Sequence, residues 1–308
     1  MLKEARYGLI FVVMCTVWGL AWIAVRIGVQ HVPPFSFAAA RFVVAGLVLA
    51  LIAKICRQSF KMRHALWRVA YTSSLIVTTG YATTFWGAQY VSSGVAAILN
   101  MSLTPILLFV FGLVLKEERY SAWRVGGIAI GVLGLFILFY PKIVLRLEPL
   151  TLAGMGALVL GTVSINLGYV LTRRLVFDIE PLSLAAMQTF IGGVGLAALA
   201  LLTESKGYHD VQSFASSKVF ASWLFLVIGA SVIGFTSYLT LLRKWGPSKA
   251  GLYAFISPVI AVVVGVSVFN ESLGAYECVG AALMLTATKL AMHDKNKSVE
   301  SEEDRRFG

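Results

Sequence analysis

Ten apolar segments of bilayer length follow one another along this chain, at residues 7–29, 35–53, 67–90, 93–115, 123–140, 152–172, 182–203, 219–242, 250–268 and 274–291. About 20 apolar residues cross a bilayer as a helix. A segment inside lipid must satisfy its own backbone, which favours helices. No connection exceeds about 15 residues, so no soluble domain fits between the segments. Only 13% of the 308 residues are charged and 58% are hydrophobic, whereas a soluble domain carries roughly 25% charged residues. The sequence therefore predicts an all-α membrane protein with ten transmembrane helices. The first segment follows Lys3 and Arg6 and ends at no small-residue cleavage site, so it reads as a retained helix rather than a signal peptide. Residues 292–308 are charged and are expected to form a disordered tail.

The net charge of +11 does not indicate nucleic acid, because the basic residues lie between the apolar segments. The positive-inside rule explains them better. With the N-terminus inside, 20 of the 26 Lys and Arg fall at inner ends; Arg26, Arg41, Lys142, Arg146, Lys206 and Lys218 fall in outer halves. Both termini are then cytoplasmic, in a bacterial inner membrane. Arg41, about six residues into segment 2, is expected to snorkel to the outer interface. A gate or a substrate carboxylate are its other readings. Cys15, Cys56 and Cys278 form no paired motif, and no disulfide is expected.

The two halves repeat. VQHVPPFSFAAARFVVAG (29–46) parallels FDIEPLSLAAMQTFIGG (177–193) at an offset of 147, matching Pro34 to Pro181, Ser36 to Ser183 and Gly46 to Gly193. SLTPILLFVFGLVLKEE (102–118) parallels FISPVIAVVVGVSVFNE (255–271) at an offset of 153, matching Pro105 to Pro258 and Glu118 to Glu271. Five segments per half is an odd number, so the second half enters the membrane from the opposite side and the repeat is inverted. The expected units are residues 1–145, residues 146–291 and a tail, 292–308. Inverted repeats around a central site are typical of secondary transporters.

VWGLAWIAVR (17–26), PPFSFAAARF (33–42), the two proline-to-glutamate runs and the glycine-rich segments GGIAIGVLGLFIL (126–138) and VGAALML (279–285) resemble the drug/metabolite transporter superfamily. The likeness is to its ten-helix EamA-type branch and, within that, to bacterial amino-acid exporters. The second half departs from the pattern where Gln188 stands for Arg41 and Asn270 for Glu117. Small relatives that export cationic drugs against protons carry a glutamate in the first helix, and this chain has none there.

Polar side chains within a bilayer usually face the bundle interior or a wet cavity. Here they concentrate in segments 1, 3, 4, 6, 8 and 9, which are repeat mates, so these six are expected to line a central cavity with segments 5 and 10 as scaffold. Helical spacing groups Cys15, Trp18 and Trp22; Thr78, Tyr81 and Phe85; Asn100 and Thr104; Thr162, Asn166 and Tyr169; Ser231, Phe235 and Tyr238; and Tyr253 and Ser257. The expected substrate-binding residues are Trp18, Trp22, Tyr81, Phe85, Asn100, Asn166, Tyr169, Tyr238, Tyr253 and Ser257. Packing between helices is the other reading of each. Pro105 and Pro258 each remove a helical hydrogen bond and read as paired helix breaks or hinges beside the cavity. Glu118 and Glu271 read as stabilising the start of the following helix, or as a salt-bridge gate. Gly127 and Gly131 read as a close helix contact.

All 15 acidic residues lie in connections, tails or segment ends, and His31, His64, His209 and His293 lie in connections. This disfavours a buried proton-carrying carboxylate, a metal site or a hydrolytic triad. No mid-membrane Lys or Arg is expected to receive a phosphate. The reading is a secondary transporter exporting amino acids, aromatic or otherwise neutral, and similar small metabolites by alternating access. It needs no cofactor or metal, is not an enzyme, and has small molecules and the bilayer as partners, as a monomer or weak homodimer. The alternatives are a multidrug exporter of bulky aromatic cations, a nucleotide-sugar or phosphate-ester exchanger, or a membrane enzyme such as an acyltransferase.

Overall fold

The computed structural model describes residues 2–58, 65–140, 148–204, 216–269 and 274–292. Asn270, Glu271, the junction between the repeats, His64, His209 and the tail after Met292 lie outside the described residues. Within them the chain is all helical, with no strand. The helices are α1 (Leu2–Val29), α2 (Pro34–Ile55), α3 (Leu66–Ser73, Ser74–Tyr81 and Ala82–Ala88 end to end), α4 (Ser93–Val114), α5 (Ala122–Phe139), α6 (Pro149–Asp178), α7 (Pro181–Thr203), α8 (Ser217–Trp245), α9 (Tyr253–Phe269) and α10 (Ala275–Met292). Seven are long and apolar enough to cross a membrane; α3, α9 and α10 complete the ten. A short turn, Pro247–Ala250, precedes α9.

Local chemistry sets the starts. Pro34, Pro149 and Pro181 open α2, α6 and α7, where proline's fixed φ suits the first turn and its missing N–H goes unmissed. Ser92 and Ser121 cap α4 and α5 by accepting from Val95 N and Arg124 N. Large apolar side chains such as Leu9, Leu51, Leu160 and Leu202 point outward. In water such a surface would associate; in a bilayer it is the lipid face.

The packing obeys an inverted two-fold. The most extensive contacts are α2 on α7 and α5 on α10, each a helix against its own repeat mate. α1 packs on α8 and α9, while its mate α6 packs on α3 and α4. The α2–α7 crossing rests on the matched glycines. A Cβ on Gly46 would stand 2.7 Å from the Phe190 backbone, and one on Gly193 would stand 2.7 Å from Val43 N. α5 and α10 close just as tightly: a Cβ on Gly134 or Gly280 would meet the other's carbonyl at 2.9 or 2.7 Å. Gly127 packs against Ala287 and Ala291, and Gly131 against the Phe255 ring, which is the expected close-packing role.

The helices break in different places from those the prolines suggest. Pro105 and Pro258 lie within continuous helices. The change of geometry is instead in α3 and α8, which turn π-helical over Ser74–Tyr81 and Leu226–Phe235. These are repeat-mate positions, and π turns frequently occur at functional sites. Each π segment accepts a hydrogen bond from the other repeat. Trp18 Nε1 donates to Ala230 O at 3.0 Å, and Ser164 Oγ donates to Leu75 O at 2.7 Å.

Candidate functional site

The near face is the end of the bundle where α1 starts, and the far face is the end where it finishes. A cavity between mid-length and the far face is lined by Trp18, Ala21, Trp22 and Val25 of α1, Arg41 of α2, Tyr81, Thr84 and Phe85 of α3, and Asn100, Met101 and Thr104 of α4. Ile165 and Tyr169 of α6, Ala230 of α8 and Tyr253 of α9 complete it. Its volume is about 80 Å³.

Its floor is aromatic. The Trp18 ring lies 4.5 Å from Tyr253 in an edge-on arrangement and 5.4 Å from Tyr238, and Tyr169 stacks 4.3 Å from Tyr238. Ring pairs at these separations are mutually favourable. The indole N–H bonded to Ala230 O fixes the Trp18 rotamer. One wall is the α4–α6 seam, stitched by two amides running in opposite directions. Asn100 Nδ2 donates to Thr162 Oγ1 at 3.1 Å, and Asn166 Nδ2 donates to Thr104 Oγ1 at 3.3 Å and Thr162 O at 2.7 Å. Asn100 and Thr104 are the members of this seam that also line the cavity.

Of the expected binding residues, Trp18, Trp22, Tyr81, Phe85, Asn100, Tyr169 and Tyr253 line the cavity. Three do not. Tyr238 is fully buried beneath the floor. Asn166 is buried behind the wall, with its Nδ2 engaged in the seam. Ser257 is buried where α9 crosses Gly19 of α1, whose added Cβ would stand 2.7 Å from Ser257 O. It is a helix contact.

Arg41 is the largest departure from expectation. It does not snorkel: it is 3% exposed and turns into the cavity. Its guanidinium sits 4.5 Å from the Phe42 ring, 5.4 Å from Tyr81 and 6.0 Å from Phe85, a cation–π setting. Nε donates to Ser231 Oγ on α8 at 3.0 Å. A basic group does therefore reach the interior, against the sequence expectation. Its depth was legible, about 10 Å in from Pro34 at 1.5 Å per residue; its direction was not.

The near half carries polar links between its helices. Arg174 pairs with Glu117 at 2.5 Å, Arg243 with Glu180 at 3.1 Å, and Arg173 donates to the carbonyls of Leu242 and Arg243. Glu118 does not cap α5, since Ser121 does that. Its carboxylate accepts from Ser248 N at 2.7 Å and from Ser248 Oγ, and pairs with Arg124 at 2.5 Å. Its hydrogen bonds from Ser248 thus tie the end of α4 to the turn before α9, while its ion pair stays within the first repeat. At the far face, Glu204 at the end of α7 accepts from Phe35 N and Ser36 N, both at 2.8 Å, and from Ser36 Oγ at 2.7 Å. Sequence reasoning missed that cap. An acid just past one helix and an uncapped start of its repeat mate are the signal for it. Among the described residues no His, Cys, Asp and Glu cluster fits a metal.

The sequence model of the EamA-like transporter family matches twice, over residues 6–140 and 152–292. The chain belongs to the EamA-like transporter family. Its relatives include the uncharacterized inner membrane transporter YedA of Escherichia coli, 26% identical over 89% of this chain and 86% of that one. The uncharacterized transporter YoaV of Bacillus subtilis is 25% identical over 87% and 90%. The WAT1-related chloroplastic protein At3g02690 of Arabidopsis thaliana is 25% identical over 89% and 66%. A solved crystal structure superposes with a TM-score of 0.78 at 19% identity, covering 93% of this chain and 96% of the other; it shows a shared fold. The chain is a multi-span membrane transporter.

Proposed function

We propose that this transporter exports amino acids, aromatic or otherwise neutral, and similar small metabolites from the cytoplasm by alternating access. The near face is the cytoplasmic one in this reading, as the basic residues suggest. The observation that carries it is the cavity: a floor of indole and phenol rings beside neutral amide and hydroxyl groups, with the near-face links closing the half below. Rings accept an apolar side chain, and their faces attract an ammonium. Asn100, Thr84 and Thr104 offer hydrogen bonds without a competing carboxylate.

The inverted repeat supplies the motion. In this reading the structure is one arrangement, with the near half shut by the links of Glu117, Glu118 and Glu180. Exchanging the conformations of the two halves closes the far half and opens the near one. The π segments of α3 and α8 border the cavity and are the parts best placed to change pitch during that exchange. The test is efflux from cells preloaded with labelled amino acids. Expression of the chain is expected to speed the loss of neutral amino acids, and Trp18→Ala and Tyr169→Ala to abolish the gain. Unchanged efflux of every amino acid tried, at normal membrane abundance, would refute the reading.

A further inference from the structure

We propose that Arg41 is a carboxylate-binding subsite of the cavity, so that the substrates are carboxylates and organic cations without a carboxylate are rejected. This rests on the amino-acid reading above and narrows it. Arg41 is the one charged side chain among the described residues that line the cavity. Its polar neighbours are the hydroxyls of Ser231, Tyr81 and Tyr169, and among the described residues no carboxylate pairs with it. A guanidinium carries five N–H donors. Neutral hydroxyls cannot neutralise its charge, and an interior charge without an anion is unfavourable. The rings of Phe42, Tyr81 and Phe85 lie 4.5–6.0 Å from it and hold the group in place. The planar fork of a guanidinium matches a carboxylate in a bidentate pair.

The repeat mate shows what this position requires for folding alone. Gln188 is fully buried and donates to Thr72 Oγ1 at 2.7 Å and Thr172 Oγ1 at 2.9 Å. A neutral amide there ties α7 to α3 and α6. Arg41 ties α2 to α8 through Ser231 and to α3 through Tyr81, as the amide ties its own neighbours, and adds a charge that Gln188 does without. That charge is explained by a ligand. One positive group matches one negative one; a phosphate-ester dianion would call for a second cation, and none lines the cavity among the described residues. The ammonium of an amino acid then meets the rings of Trp18 and Tyr253, which share the cavity.

The test uses the purified full-length chain and three probes: L-phenylalanine, 3-phenylpropionate (carboxylate only) and phenethylamine (ammonium only). Ligand-induced thermal stabilisation in detergent gives the apparent Kd of each. The two carboxylates are expected to bind and phenethylamine to bind at least about 10-fold more weakly, since charge-assisted hydrogen bonds differ by that much from neutral ones. Arg41→Gln, the residue of the repeat mate, is expected to weaken both carboxylates by roughly 10–150-fold and to leave phenethylamine unmoved. Arg41→Lys is expected to fall between. If phenethylamine binds the wild-type chain as tightly as phenylalanine, or if Arg41→Gln weakens all three probes equally, the inference is overturned. The wild-type series decides even where Arg41→Gln does not fold. Flux in liposomes separates the two levels. Arg41-dependent movement of 3-phenylpropionate with no amino-acid flux would sink the amino-acid reading and keep the subsite. Amino-acid flux that Arg41→Gln leaves unchanged would do the reverse. Arg41-dependent flux of phosphate esters alone would overturn the subsite.

Discussion

Glu118→Ala should unlock the near face. The Glu118 side chain is 5% exposed and accepts three hydrogen bonds, two from Ser248 and one from Arg124. Hydrogen bonds to a charged group contribute about 1.5–3 kcal/mol each, and on opening water replaces part of that. A net of about 3 kcal/mol for the group is therefore reasonable, equivalent to roughly 150-fold in the ratio of near-open to near-closed forms. The chain carries its own reporter. Cys15 is fully buried on α1, one turn from Trp18 on the near side of the aromatic floor. Cys56 and Cys278 are exposed and are first replaced by serine. Maleimide should then label Cys15 slowly in the wild type and about 10- to 100-fold faster in Glu118→Ala. Glu118→Gln, which keeps an acceptor but loses the charge, should fall between. Equal labelling rates in all three, with the fold intact by gel filtration, would refute the view that this carboxylate holds the near face shut.

Other consequences are as direct. Gly46→Leu and Gly193→Leu force a side chain against backbone at 2.7 Å and should destabilise the bundle by at least about 1–3 kcal/mol, seen as a lower Tm in detergent; Gly8→Leu, with nothing within 4 Å, should not. Trp18→Phe keeps a ring but loses the bond to Ala230 O, and should lower kcat/KM for transport by about 3- to 10-fold, the range for a neutral hydrogen bond. Ser257→Ala should change the KM of transport less than twofold, because Ser257 packs on Gly19 outside the cavity; Asn100→Ala should raise KM clearly.

The helices were legible because a lipid-facing helix writes its length directly in hydropathy. The inverted repeat was legible because Gly46 and Gly193 must both stay small to let α2 cross α7. The cavity was legible from which helices carry aromatic and amide groups, and only partly from which residues. Spacing tells which side chains share a face but not how closely the next helix packs over them, so spacing alone places Tyr238, Asn166 and Ser257 one layer too far inward. The π segments account for a second kind of error. An extra residue per turn rotates every later side chain, and an α-helical face drawn through α3 or α8 goes astray there. Such a face groups Thr78 with Tyr81 and Phe85, yet Thr78 donates to Gly192 O on α7 at 3.2 Å while the other two line the cavity. Ala230, rather than Ser231, reaches the cavity from α8, leaving Ser231 to hold Arg41. The direction of Arg41 depends on rings from α3, a contact that no spacing within α2 encodes.

Whether a small carboxylated molecule crosses through this cavity by alternating access is tested most directly by flux. A labelled amino-acid panel is presented to liposomes containing the purified chain, with and without a proton gradient. Saturable flux of neutral amino acids, accelerated by unlabelled amino acid on the opposite side and lost in Trp18→Ala, is the predicted result. Flux confined to organic cations and dependent on the proton gradient would contradict it.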